Sequence, residues 1–440
     1  MSAVLRVMAA NGSFSEPTRV SWASGRFAFE EAAGAEASAE AGAEIGAEAG
    51  AAAPHADAGW IIPGLVDAHV HAAWHAFDAA DREILDADPE VKHERTATAL
   101  ANTLRAGFTS VRDAGGLTLA GCDRISAENR PRVGLSVALI GRAEADAAGG
   151  LDRAVDAVLE AGATWVKLVA TAGVAAPPRT TLESHFSAAE FASAVARADA
   201  VGAGVMVHAW GGAAIDHAIA AGAASIEHGI YLTPAQARRA ADAGTTFVPT
   251  LRIYRLVQQM ISAGHLPAAF ADRVDDAVAH HPGAVRIARD HGVAIALGTD
   301  YGTSAQHGTN RLEFDALVDA GLTPREALVA ATTAGADLLA RAQQQGAPRE
   351  AVPTGGITAG AVADAVLLRR DPRERGALSD PESIVGVLLG GRWIDPAPPS
   401  AAPPAPRTPR TPSQTSQLTP SPTPQQTSPV QAPAPREDHP

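Results

Sequence analysis

Residues 64–71 read Gly64-Leu65-Val66-Asp67-Ala68-His69-Val70-His71, an apolar run with β-branched residues opened by Pro63-Gly64. Such a run predicts a short buried strand, on which side chains two positions apart share a face. His69 and His71 therefore point the same way and can reach one metal ion. Two imidazoles leave a tetrahedral ion half satisfied, so further donors are needed downstream. They stand at or near the C-terminal ends of other strand-like runs: Lys167 in Trp165-Val166-Lys167-Leu168-Val169, His208 in Val205-Met206-Val207-His208, His228 in Ser225-Ile226-Glu227-His228, and Asp300 in Ala296-Leu297-Gly298-Thr299-Asp300. Six polar residues, each closing an apolar run, point to one shared site.

Working outward, short apolar runs alternate with longer helical segments between residue 61 and about residue 340. Strands are predicted at 61–71, 109–113, 133–141, 165–171, 204–210, 225–232, 246–251 and 293–300. Helices are predicted at 151–161, 187–201, 212–221, 234–243 and 324–340, with Gly162, Gly202, Gly222 and Gly244 as stops. Pro234 and Pro324 each follow a threonine, the arrangement of a first helical turn capped by a hydroxyl. Eight strands alternating with helices predict an α/β fold, a closed parallel (β/α)8 TIM barrel over residues 61–345, whose active site lies at the C-terminal strand ends. The six residues fall there.

Strand-like runs at both ends of the chain, such as 363–368 and 385–389, predict a small β-sandwich-like domain assembled from residues 1–60 and 355–395. Residues 31–58 are nearly all Ala, Glu and Gly and are read as a low-complexity surface insertion. Residues 396–440, dominated by Pro, Ser, Thr and Gln, are read as a disordered tail. Neither segment is expected to carry chemistry.

The 440 residues suffice for a barrel of about 250 residues plus a smaller module. A formal net charge of −14 argues against a nucleic-acid surface, which needs clustered Lys and Arg. Cys122 is the only cysteine, so thiolate zinc sites and intrachain disulfides are excluded and any metal must sit on N and O ligands. No signal peptide is read at the start, and no run reaches the roughly 20 apolar residues of a membrane span. The expectation is a cytoplasmic enzyme with neither nucleic-acid nor membrane partners.

Imidazole and carboxylate ligands suit a catalytic Zn²⁺ or a neighbouring divalent ion with an open position, and hydrolysis follows from activation of its water. Lys167 does not fit as an ammonium, which has no lone pair. Desolvation beside cations favours the neutral amine, which reacts with carbon dioxide to give a carbamate whose two oxygens can bridge two metals.

The same residues carry a resemblance. The runs 64–71, Gly107-Phe108-Thr109-Ser110-Val111-Arg112-Asp113, Val166-Lys167-Leu168, Val207-His208-Ala209, Ser225-Ile226-Glu227-His228-Gly229 and Leu297-Gly298-Thr299-Asp300 resemble the amidohydrolase superfamily, and within it the imidazolonepropionase-like and metal-dependent prolidase branch. The resemblance spans about residues 60–395. It implies a binuclear zinc site in which His69, His71 and Asp300 hold one ion, His208 and His228 the other, and N6-carboxylated Lys167 bridges both. It further implies attack by a metal-bridging hydroxide on an amide-type C–N bond of a dipeptide, N-acyl amino acid or cyclic amide, with Asp300 as the proton shuttle. Tyr231 resembles a residue that contacts the substrate carbonyl, and a homo-oligomer is the usual assembly of such relatives. Asp67 and the pair Arg112-Asp113 are read as orienting ligands or closing a salt bridge, and His307 as structural support at the site mouth.

One departure loosens the substrate. Prolidase-like members carry a Gly-Gly-His-Gly-type loop after strand three, whereas this chain reads Gly141-Arg142-Ala143-Glu144-Ala145-Asp146-Ala147-Ala148-Gly149-Gly150, with no histidine. Arg142 is a candidate carboxylate partner in its place. Two alternatives stand beside the binuclear hydrolase: a non-catalytic barrel that binds a small ligand, and a mononuclear enzyme like imidazolonepropionase or the deaminases, which lack the bridging lysine.

Overall fold

The computed structural model describes residues 1–29, 55–77, 82–84, 87–176, 180–342 and 355–396. Most of the 31–58 insertion and all but the first residue of the 396–440 tail lie outside the described residues.

Two parallel sheets share the staves of a barrel. One joins Tyr301–Thr303, Leu65–His75, Phe108–Asp113 and Arg132–Leu135, and the other joins Thr246–Val248, Ser225–His228, Gly204–Ala209, Trp165–Val169 and Leu139–Ile140. The expected third strand, 133–141, supplies both sheets. Its first part pairs with Phe108–Asp113, and Leu139 and Ile140 pair with Trp165–Val169. The break falls at Val137, a β-branched residue at φ 62° that cannot continue a ladder.

The ring closes at the eighth stave, where the expected strand 293–300 turns out irregular. It makes a single parallel bridge, Phe247 to Ile295, before Tyr301 pairs with Val70 of the first strand. Gly298 explains how closely this stave packs: a Cβ there would lie 2.4 Å from Val248 and 2.9 Å from the Cβ of His69. Strands six and seven are also shorter than expected, ending at His228 and Val248.

Alternation along the staves sorts the core. Trp165, Met206, Val248 and Ala296 fill the barrel interior, whereas Val166, Val205, Val207, Ile226 and Phe247 pack outward against helices. The threonine caps before Pro234 and Pro324 form as expected, each in a capping box with Gln236 or Glu326. The expected helix 324–340 is two helices, Pro324–Ala331 and Thr333–Ala340, separated at Thr332.

Both chain ends meet in a seven-stranded mixed sheet ordered Arg392–Ile394, Ile384–Leu389, Ala365–Leu368, Trp60–Pro63, Ser2–Val7, Thr18–Ala23, Arg26–Phe29. The sheet curls, because Phe27 bonds the backbone at residues 360–361 and Arg26 bridges Val362. Leu5, Trp22, Phe27, Ile61, Leu367 and Leu388 share its core. The expected single strand 61–71 is thus split at Gly64, with Trp60–Pro63 in this sheet and Leu65–His75 in the barrel. No side chain fits at the junction, since a Cβ on Gly64 would stand 2.0 Å from the Thr109 hydroxyl. Among the described residues no helix is long and apolar enough to cross a membrane.

Candidate metal centre

Four imidazoles, one lysine and one carboxylate converge at the C-terminal mouth of the barrel. The Nε2 atoms of His69 and His71 lie 3.3 and 3.2 Å from Asp300 Oδ1, and Lys167 Nζ lies 3.4 Å from His69 Nε2. The His228 ring centroid is 5.1 Å from that of His69 and 4.5 Å from that of His208. Ligand atoms of His69, His71 and Asp300 fall within 4.8 Å of one another. Asp300 and His208 are the partly exposed members, and the other four are buried.

Backbone geometry aims these groups. Ser225 and Glu227 face the barrel interior and Ile226 faces the helices, so alternation alone would send His228 outward. His228 instead adopts φ 70°, which turns its imidazole back into the cluster. Asp300, at φ 56°, makes the same left-handed turn at the end of the eighth stave. Thr250, also left-handed, places its hydroxyl 2.8 Å from His228 Nδ1. His71 Nδ1 meets the carbonyl of Gly115 at 2.9 Å.

Asp67 joins the first and eighth staves. Its Oδ1 accepts from the backbone N–H of His69 and Thr299, and its Oδ2 accepts from the Thr299 hydroxyl and Asn310 Nδ2. Asp113 accepts the N–H of Ala72, Gly115 and Leu117 and so fixes the loop beside His71. Arg112 closes a fully buried salt bridge to Glu227 at 2.9 Å. These are the orienting and ion-pairing roles expected for Asp67, Arg112 and Asp113. His307, buried and 3.2 Å from the Thr103 hydroxyl, takes the expected supporting place.

Burial weakens the protonated forms of three of these nitrogens. Burial, reinforced by the charge of Lys167, pushes the His208 imidazole down to about 3. His228 is likewise held well below its ordinary value by burial and by His208. Desolvation lowers the Lys167 amine to about 8 against the pull of Glu227 and Asp300. Burial acts to raise the Asp300 carboxyl, yet the neighbouring imidazoles of His69, His71 and His228 hold it well below the carboxylate range.

The residues fit a divalent metal. The donor set offers nitrogen and oxygen without thiolate, and His208 Nε2 is a buried polar atom with no protein partner.

Two expectations at the rim meet different surroundings. Arg142 is not a free carboxylate partner: residues 141–150 are not a loop but form the helix Arg142–Ala148, and its guanidinium is tied to Glu190, to Asp146 and to the carbonyl of His185. Tyr231 is half-buried and donates its hydroxyl to Asp276. Tyr254 was not singled out in the sequence, yet its buried ring lies 5.8 Å from that of His228 and packs on Trp210 and His281. Its only sequence signal is its place one helical turn beyond Thr250, which becomes legible once the seventh strand is seen to end at Val248. Glu227, whose interior-facing place beside His228 carries no sequence signal of its own, accepts from His69 Nδ1 at 2.7 Å.

Comparison with known proteins gives the family and the fold. The model of the Amidohydrolase family matches residues 60–394. The chain is 31% identical over 351 residues to an uncharacterized protein of Mycobacterium tuberculosis, covering 77% of this chain and 86% of that one. It is 30% identical over 245 residues to ochratoxinase of Aspergillus niger, covering 54% of this chain and 48% of that one. The fold is similar to the crystal structure of a Xaa-Pro dipeptidase with bound methionine in the active site, with a TM-score of 0.72 at 23% identity over 90% of this chain and 100% of the other. It is also similar to the crystal structure of A. niger ochratoxinase, with a TM-score of 0.70 at 23% identity over 89% of this chain and 94% of the other.

Proposed function

Since this chain belongs to the amidohydrolase family and is a hydrolase of carbon–nitrogen bonds, we propose that it cleaves an amide-type bond of a dipeptide, N-acyl amino acid or cyclic amide at a two-metal centre. His69, His71 and Asp300 would hold one divalent ion, His208 and His228 the second, and Lys167, carboxylated on Nζ, would bridge them. When bound, the ions, with zinc the best match to this donor set, supply Lewis-acid activation of water and of the scissile carbonyl. Asp300, partly exposed at the mouth, takes the proton of the attacking water at a carboxylate oxygen and delivers it to the leaving nitrogen. Tyr231 serves the substrate carbonyl in this reading, and its phenol must then exchange Asp276 for the substrate.

The observation that carries the proposal is Lys167. A buried amine 3.4 Å from one imidazole, it feels the charges of Glu227 and Asp300 but closes no salt bridge within 4.0 Å among the described residues. As a carbamate it becomes an anion that two cations would share. The triad of His69, His71 and Asp300 alone would serve a one-metal enzyme, and Lys167 separates the two readings.

With no histidine in residues 141–150 and Arg142 occupied by Glu190, the chain lacks the recognition expected of a standard prolidase. N-acyl amino acids and cyclic amides are therefore favoured over Xaa-Pro dipeptides. The test is a hydrolysis screen of all three classes with elemental analysis alongside. Nearly two metal equivalents per chain, turnover abolished by chelation and restored by zinc, and loss of activity in Lys167→Ala are expected. One tightly bound metal with an active Lys167→Ala enzyme overturns the two-metal reading, and best turnover on Xaa-Pro overturns the substrate preference.

A further inference from the structure

One layer beneath the six converging side chains lies a set of charged groups that the proposed reaction does not use. Glu227 from the sixth strand presents Oε2 to His69 Nδ1 at 2.7 Å, and its Oε1 receives Arg112 Nη2 at 2.9 Å and the Ser225 hydroxyl. Arg112, from the second strand across the barrel, also donates Nη1 to Ser225 Oγ at 2.9 Å and Nε to the carbonyl of Ala68 at 2.7 Å. Its guanidinium lies 4.6 Å above the Trp165 ring. Arg112, Ser225 and Glu227 are completely buried.

We infer that Glu227, locked by Arg112 and Ser225, is a positioning residue that fixes the tautomer and orientation of His69, and that this inference rests on the metal-centre reading above. A carboxylate accepts and does not donate, so His69 carries a proton on Nδ1, and Nε2, which faces Lys167 and Asp300, is the nitrogen kept for a metal ion. His71 and His228 are supported differently, by a carbonyl and a threonine hydroxyl. Of the four cluster imidazoles, His69 is the one whose Nδ1 meets a carboxylate among the described residues. That anion makes Nε2 a stronger donor, and Arg112 lets the anion exist in a buried layer where an unpaired charge would be expelled. The bond from Arg112 Nε to Ala68, the residue before His69, ties the same cation to the backbone of the ligand it helps to aim.

A buried ion pair can also serve packing alone, and the experiment separates the two roles. The metal-free full-length chain, labelled with ¹⁵N-histidine and with His69 assigned by its loss in His69→Asn, reports the tautomer by long-range ¹H–¹⁵N correlation. Zinc affinity is measured by competition with a chromophoric chelator. Wild type is expected as the Nδ1–H tautomer. Arg112→Met/Glu227→Leu, which replaces the pair by apolar groups, is expected to mix the tautomers and bind zinc about 10–100-fold more weakly. Glu227→Gln keeps an acceptor for Nδ1 and covers the case in which the double variant fails to fold; it is expected to hold the tautomer with an affinity between the two. An Nε2–H tautomer in wild type, or wild-type zinc affinity in a folded variant lacking the Glu227 charge, overturns the inference. A wild-type chain that takes up no zinc overturns the two-metal reading instead, while the tautomer of metal-free His69 still decides for or against Glu227.

Discussion

At the scale of the residue, Asp300 combines two features: it completes a triad of donor atoms with His69 and His71, and it is partly exposed at the opening. Its left-handed backbone holds the carboxylate where both His69 and His71 reach one oxygen. Asp300→Asn keeps the shape and removes the basic oxygen. Its kcat is expected to fall about 10²–10⁴-fold, measured with zinc added until metal content matches wild type; an unchanged kcat would assign the proton to another group. The six cluster members were legible in the sequence because each ends an apolar run, and a parallel barrel gathers such ends at one mouth. Glu227 was not legible as a partner of His69, since the two are 158 positions apart and only the closed barrel brings the sixth strand over the first. Tyr254 was hidden by a strand read three residues too long.

At the scale of the element, the helix Leu251–Ser262 begins immediately after Thr250, which holds His228, and carries Tyr254. No side-chain cap closes it locally. Its first two amides instead donate to the Glu313 carboxylate, Leu251 N–H at 2.6 Å and Arg252 N–H at 3.0 Å, so a residue from a distant helix completes the N-terminus. Burial raises the Glu313 carboxyl to about 8 despite those two bonds. The folded chain therefore keeps this proton up to about pH 8, while the unfolded chain releases it near the ordinary glutamate value. Between those limits the native state binds more protons, and stability falls as pH rises. Glu313→Gln is expected to flatten that fall in denaturant midpoints measured from pH 5 to 9; an identical pH slope in the variant would mean that Glu313 is ionised throughout. Regular elements of this kind were legible wherever caps and periodicity agree, as at Thr233-Pro234 and Thr323-Pro324. The helix Ala271–Asp290, outside the five helices read from the sequence, runs on through Pro282, a residue that removes a helical bond. The third and eighth staves were misjudged because Val137 and Asp300 leave the ladder in left-handed turns that composition does not announce.

At the scale of the whole molecule, the seven-stranded sheet and the metal centre are mechanically one object. Trp60–Pro63 lies in the middle of that sheet, antiparallel to Ala365–Leu368 and parallel to Ser2–Val7, and it runs through Gly64 straight into the strand that bears His69 and His71. Arg132 of the barrel reinforces the joint with a two-pronged pair to Asp364, at 2.9 and 3.1 Å. Ending the chain at Ser383 deletes Ile384–Leu389 and Arg392–Ile394, exposes the edge of Ala365–Leu368 and removes the buried Ile384, Val387 and Leu388. Each such side chain is worth about 1.5–3 kcal/mol when fully buried, so their joint loss rivals the roughly 5–15 kcal/mol by which a folded domain usually exceeds its unfolded state. The shortened chain is expected to aggregate on size-exclusion chromatography, to show no cooperative unfolding in calorimetry and to bind no zinc, because the strand that aims two of the imidazoles loses its anchor. A monodisperse chain of residues 1–383 that still binds zinc would show instead that the barrel sets the first strand without help from the sheet, and that Gly64 is a hinge between independent parts.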